Sequence, residues 1–186
     1  FFRPMSMSAR QWFPGIMAPA EETFAFRSCH LRPESRGSVS LRSADPMDPV
    51  RIINNFLSTD EDKRVLRESF RMMRQIARQP DFDEMRGAEF APGAHVQDDD
   101  DAAIDAYVRE GLGTVFHPVS TCRMGIDDRA VVDGDLKVRG LDGLRVVDAS
   151  VFPDLTGGNI NAVVIMTAEK ASDIILGKAA LAREAA

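Results

Sequence analysis

The chain has few cysteines, no long apolar run and no concentration of basic charge, and each absence removes a class of protein. Only Cys29 and Cys122 are present. Two cysteines make no disulfide framework, so a reducing compartment and a cytoplasmic location are expected. No stretch approaches the roughly 18 consecutive apolar residues that a spanning helix needs, so membrane association is not indicated. The formal net charge is -6, and the lysines and arginines are scattered, which argues against nucleic acid as a partner. No internal repeat and no low-complexity linker interrupts the chain. Its start, "FFRPMSMSARQWFPG", has neither an initiator Met nor a signal-peptide pattern, and is expected to be cut from within something longer. What is present is ordinary globular material. Hydrophobic residues make up 44% of the 186, enough for the core of one large domain or parts of two.

Local patterns order the chain. Residues 1 to 20 carry Met, Pro and aromatics with no clear period, so a loop or arm is expected there. "TFAFRSCHLRP" (Thr23 to Pro33) alternates apolar and polar residues, "ESRG" reads as a turn, and "SVSLR" (Ser38 to Arg42) alternates again. A hairpin or meander of an antiparallel sheet is expected. "SADPMDP" is a proline-punctuated loop. Ser58 with Glu61 forms a capping box. Val65, Leu66, Phe70, Met73, Ile76 and Ala77 then recur at helical spacing until Pro80. A second helix starts in "DDDDAAIDAYVREG", with Ile104, Tyr107 and Val108 inward and Gly111 as its C-terminal cap. The aspartates Asp98 to Asp101 fit the positive end of that helix better than a divalent metal, and no metal site is expected.

After residue 115 the texture changes. "FHPVSTCRMG" (Phe116 to Gly125) places a histidine, two hydroxyls, a thiol and an arginine between apolar segments. "AVVDGDLKVRG" reads as two short strands around an Asp-Gly turn. "LRVVDAS" (Leu144 to Ser150) reads as a strand ending in Asp148. "FPDLTGGNINAVVIMTAEKASDIILG" is a glycine-rich turn running into a helix closed by Gly177. The first turns of that helix are apolar nearly all round, so burial is expected. Strand, small-residue turn and helix follow the logic of a nucleotide site. Backbone N–H groups at a helix start attract phosphate or a ring oxygen. Asp148 can accept from a ribose or ribityl hydroxyl. The pattern by itself is weak, since Gly157 and Gly158 are more often plain turn residues.

His117 has three readings from its neighbours alone: a structural histidine, a metal ligand with Cys122, or a catalytic acid/base. No second Cys or His pair sits at zinc spacing, and local spacing alone favours the structural reading. "GLGTVF" lacks the third glycine of a dinucleotide fingerprint and follows a helix, so it is rejected. There is no G-x-S-x-G elbow, and Ser120 is too close in sequence to His117 for a triad.

The blocks "HPVSTCRMG" and "VVDGDLKVRGLDGLRVVDASVFPDLTGGNINAVVIMTAEKASDIILG", with "LRPESRGSVSLRSADPMDP" upstream, resemble the C-terminal half of the GMC oxidoreductases, in particular their choline dehydrogenase-like and alcohol dehydrogenase-like branch. These are the flavoproteins named for glucose, methanol and choline oxidation. The resemblance covers about residues 24 to 178. It implies an α+β chain in two parts. Residues 1 to 111 would be an antiparallel-sheet substrate domain with helices. Residues 112 to 186 would be the C-terminal strand-turn-helix portion of an FAD-binding α/β domain.

The implied activity is FAD-dependent oxidation of a small-molecule alcohol, by a dehydrogenase or an oxidase. His117 is the implied general base and Asn159 the group that holds the alcohol oxygen, with hydride passing to flavin N5. Asp148, Ala149, Asn159, Ile160 and Asn161 are the implied FAD contacts. Cys122, Arg123 and Met124 are implied support. The family's phosphate-binding turn is absent from these residues, so a missing N-terminal half or a partner chain is expected to complete the site. The competing expectation is a non-catalytic truncated fragment, acting at most as an interaction module.

Overall fold

A computed structural model describes Phe2, Arg3 and residues 23–179. Most of the arm expected over residues 1 to 20 lies outside the described residues. The chain forms two compact units from interleaved segments. The first takes residues 1–30 and 57–113, the second 31–56 and 114–186. The secondary structure is a mixture of helices and small antiparallel sheets.

In the first unit, β1 (Phe2–Arg3) pairs antiparallel with β2 (Ala25–Phe26). The alternating run from Thr23 to Pro33 therefore yields two strand residues, not a long strand. The rings of Phe24, Phe26 and Phe82 meet at centroid separations of 5.6 to 5.9 Å, and Phe2 joins them. Helix α1 spans Asp60–Ala77. Its N-cap is Thr59, not Ser58: the Thr59 hydroxyl accepts from the Asp62 N–H at 3.2 Å. Asp60, Glu61 and Asp62 fill the first turn, where negative charge suits the helix dipole. The helix stops before Pro80, which opens a 3-10 turn, Pro80–Phe82.

Helix α2 spans Asp101–Gly111, capped by the Asp100 carboxylate on the Ala103 N–H at 2.9 Å. Gly111 is its last residue rather than a left-handed cap, and Leu112 leaves extended. Phe70 of α1, Ile104 of α2 and Val96 form the buried core, with Tyr107 and Val108 half-buried against it. The Phe70 and Tyr107 rings meet edge-on at 5.8 Å. The aspartate run does more than complement a dipole. Asp98 receives Arg74 at 2.7 Å and Arg78 at 2.5 Å, while Asp101 receives Arg71 at 2.5 Å. Arg74, buried, also donates to Glu89 and to the carbonyls of Gly93 and Val96, and lies 4.5 Å over the Phe70 ring.

In the second unit, β3 (Ser38–Ser40) pairs antiparallel with β4 (Arg51–Ile53), across the "SADPMDP" loop. The expected hairpin between the Thr23 and Ser38 segments is thus replaced by one between Ser38 and Arg51. Gly37 is required at its base, because a Cβ there would run into the Ile53 carbonyl.

Beyond residue 115 the expected strands are reduced to isolated bridges: Met124 with Val132, Val132 with Val138, and Lys137 with Arg145. The turn around Asp133 and Gly134 is as expected, with Leu136 N–H bonded to Asp133 O at 3.0 Å. Positive φ at Leu136, Gly140 and Gly143 breaks extended backbone every few residues, so no ladder can lengthen. Leu144 to Ser150 likewise gives a bridge and then a 3-10 turn, Ala149–Val151, instead of a strand. Helix α3 spans Asn161–Ile175 and ends at Gly177, whose φ is +66.

The core of this unit is Val132, Leu136, Val151, Phe152, Ile160 and Ala171. Burial of α3 is one-sided. Val163 and Val164 pack on that core, but Ile165 is 55% and Met166 62% exposed. The expected all-round burial of its first turns is therefore not found in this chain. Among the described residues, no helix is long and apolar enough to cross a membrane.

Candidate active site

All six residues singled out from sequence lie in the second unit, and one apolar cluster carries them. The segment around His117 is bent by two non-glycine residues with left-handed backbone, Phe116 at φ +62 and Ser120 at φ +74. Such backbone costs about 1 kcal/mol or more per residue and persists only where the surroundings impose it. His117 is half-buried between them.

The block then runs alongside two other segments. Cys122 N–H donates to Ser150 O at 3.0 Å and Met124 N–H to Val151 O at 2.8 Å. Gly125 N–H donates to Val132 O at 3.1 Å. Met124 packs on the core. Arg123 is committed to Asp127 at 2.5 Å, and its hydrogen bond holds the Asp127 carboxyl below the usual range. Cys122 is a half-buried free thiol.

Those backbone bonds set the histidine block beside the turn that carries Asp148 and Ala149. The exposed Asp148 caps this turn, with one carboxylate oxygen accepting Ser150 N–H at 2.7 Å. Ala149 packs on the cluster, and Val151 and Phe152 enter it. The chain then passes Gly157 and Gly158 to an exposed Asn159. Ile160 drops its side chain back into the same cluster, 8% exposed, so only its backbone faces outward chemistry. Asn161 opens α3 and is exposed.

The start of α3 has no side-chain cap and no acidic residue in its first turn. The first helical bond seen there is Val164 N–H to Ile160 O, at 2.9 Å. The N–H groups before it have no partner inside the helix, and they gather the positive end of its dipole. A Cβ at Gly158 would meet nothing within 4 Å, so there is room in front of the turn. The arrangement suits an electron-rich acceptor.

Sequence reasoning missed two residues near this turn. Arg32 lies against Gly157, and Arg36 pairs with Asp154 at 3.2 Å. No local signal marks either, since their partners come from the far end of the chain. A cavity of about 430 Å³ lies elsewhere, in the first unit, among Arg74, Arg78, Glu89, Val96 and Asp98. Arg74, Arg78, Glu89 and Asp98 in that lining are already paired with one another. Among the described residues no group of His, Cys, Asp or Glu is placed to hold a metal ion.

Comparison with known proteins bears on the same region. The GMC oxidoreductase family model matches residues 33–168. An oxygen-dependent choline dehydrogenase of Paraburkholderia phymatum is 50% identical over 156 residues, covering 84% of this chain and 27% of its own. Pyridoxine 4-oxidase from Mesorbium loti superposes at a TM-score of 0.76 with 32% identity, over 89% of this chain and 32% of its own. An FAD-dependent oxidoreductase from Chaetomium thermophilum gives a TM-score of 0.74 with 34% identity, over 80% of this chain and 26% of its own. The chain spans about three-tenths of the length of the curated relatives it matches. With most of its length matched by the family model and 50% identity to such a relative over 156 residues, the chain belongs to the GMC oxidoreductase family.

Proposed function

We propose that the second unit forms one wall of the active site of an FAD-dependent enzyme that oxidises the CH–OH group of a small alcohol, choline-like in kind. The observation that carries this reading is the uncapped start of α3, seated on the same cluster as the turn that is hydrogen-bonded to the histidine block. The relatives named oxygen-dependent choline dehydrogenase support the substrate class. In this reading residues 1 to 111 belong to the substrate side and 112 to 186 to the FAD side. The protein works in the cytoplasm, where Cys29 and Cys122 stay reduced.

The residues present fit the cofactor. The open N–H groups at Ile160 and Asn161 suit the oxygen-bearing end of a flavin ring. Asp148, a pure acceptor, suits a sugar or ribityl hydroxyl. Ala149 allows close backbone approach. When bound, FAD supplies a hydride acceptor, N5 of its ring. The chain has no phosphate-binding glycine turn of its own, so residues outside these 186, or a partner chain, hold the ADP end.

His117 acts as general base and takes the alcohol O–H proton. The electron pair of that bond stays on oxygen, and the alkoxide character so created eases departure of hydride from carbon. The Asn159 amide donates to the same oxygen and stabilises its developing charge. Half-burial of His117 shields the proton transfer from bulk water while leaving one edge open to substrate. The test is rapid-mixing flavin reduction by choline in the flavin-loaded enzyme containing this chain. His117→Ala is expected to slow reduction roughly 100-fold, the scale of lost general-base catalysis. Unchanged kinetics in a variant that keeps its flavin would remove His117 from the role.

A further inference from the structure

We infer that Arg32 and Arg36 clamp the turn at residues 154–157 and thereby position Asn159, which makes them positioning residues for the reaction. What Asn159 does rests on the function proposed above. The clamp itself rests on geometry within the second unit.

Asn159 lacks a local determinant of its direction. It precedes a helix whose first turn has no side-chain cap, and it follows two glycines, the most permissive backbone available. Its orientation must come from whatever holds the preceding turn. Two arginines do so. Arg36 Nη2 sits 3.2 and 3.3 Å from the two carboxylate oxygens of Asp154, and Nη1 donates to its own loop at Pro33 O, 2.6 Å away, and at Ser35 O. Asp154 Oδ1 in turn accepts the Leu155 N–H at 2.8 Å, so the carboxylate fixes the start of the turn.

Arg32 covers the end of the turn. A Cβ at Gly157 would lie 2.9 Å from Arg32 Nη2 and 3.3 Å from both the guanidinium carbon and Nε. The three nearest atoms all belong to the guanidinium, so the head of Arg32 occupies the space beside the glycine. Gly157 also has φ +66, which a side chain resists. Behind the clamp, Asn55 Nδ2 donates to Arg36 O at 2.9 Å, tying it to the β3–β4 hairpin. The hairpin is thus the fixed base, the arginines the arms, and the turn before Asn159 the object held. A misplacement of about 1 Å at such a residue costs as much as 100-fold in rate.

The test uses Arg32→Ala, Arg36→Ala, their combination, Arg32→Lys and Gly157→Ala, with two readouts. The first is amide hydrogen exchange in the 186-residue chain. The double variant is expected to exchange about ten-fold faster across residues 155–162, with α2 amides unchanged as the control for general loosening. The second is flavin reduction by choline in the flavin-loaded enzyme. The limiting rate is expected to fall roughly 10- to 100-fold while the concentration for half-saturation moves less than about three-fold, a split that general destabilisation does not produce. Arg32→Lys restores the charge without the flat face and is expected to recover little. Gly157→Ala is expected to cost less in the Arg32→Ala background than alone, because the clash has been removed. Unchanged exchange would overturn the clamp, whatever the kinetics. Faster exchange with unchanged reduction would overturn the positioning role. A wild-type enzyme that holds flavin that no alcohol reduces would tell against the proposed activity, and the exchange experiment would still decide the clamp.

Discussion

Helices α1 and α2 each receive a side-chain oxygen on their first turn, from Thr59 and Asp100, whereas α3 begins at Ile160 with none. The same contrast runs through the two units. In the first, charge is answered by charge: Arg74 by Glu89 and Asp98, Arg71 by Asp101, Arg67 by Asp105. In the second, the cohesive element is an apolar cluster, and the polar groups near Asn159 face outward. A helix end capped by its own chain has less electrostatic capacity left for a ligand. One left open keeps that capacity, and its stability has to come from the cluster beneath it.

The contrast can be broken at its strongest point by Arg74→Met. Removing a buried guanidinium that serves two carboxylates and two carbonyls is expected to destabilise the first unit by about 3 kcal/mol, with amide protection in α3 unchanged. Hydrogen exchange read by segment checks both halves of that statement. The reciprocal change is Val151→Ala, at a fully buried position. It is expected to cost about 2 kcal/mol in the second unit, from lost transfer energy and a small cavity, while the α1–α2 pair keeps its protection. Thr59→Ala is expected to lose about 1 kcal/mol and to fray the first turn of α1 towards the uncapped condition of α3. Denaturant melts followed by helical circular dichroism would show it.

Acid gives the smallest separation. Arg74 first, then Arg78, holds the Asp98 carboxyl below its ordinary range, and Arg71 does the same for Asp101. A carboxyl lowered in the folded state contributes stability that is complete above the unfolded value, near 3.9 for aspartate, and is lost as pH falls through the folded value. Protection of α1 and α2 is therefore expected to decline as pH drops below about 4. Both side chains are substantially exposed, so solvent screening keeps the effect modest. The second unit, with Asp127 shifted the same way by Arg123, is expected to respond less, because its cluster is apolar.

Much of the helical structure was legible, because helices are local. The apolar spacing from Val65 to Ala77, the stop at Pro80 and the closing Gly177 all act within a few residues of themselves. The N-cap was off by one residue for a local reason too. Ser58 and Thr59 are both competent, and the choice fell to the oxygen that reaches the N–H three residues on, which is Asp62 for Thr59. Strands were read poorly because pairing is not local. Ser38–Ser40 found Arg51–Ile53 across a proline loop, and the segments after Ala130 are broken by positive φ at positions that include Leu136, a non-glycine residue closing the Asp-Gly turn. The aspartate run shows the same limit, since its arginine partners lie on another helix. Spacing alone left His117 structural. Its catalytic assignment came from the resemblance of a whole block, and Arg32 against Gly157 had no precursor in either kind of reading.

The interleaving of the two units has a consequence for the order of events in synthesis. Residues 31–56 leave the ribosome before residues 57–113, yet their unit is completed only by residues 114–186. At common elongation rates of about 5–20 residues per second, the hairpin and its arginines wait for seconds before the turn they grip exists. No single cut of the chain can separate the units either, because each is made of an earlier and a later piece. A protease nick after residue 113 would put the whole Asp148–Asn161 region on one fragment and leave its clamp behind on the other.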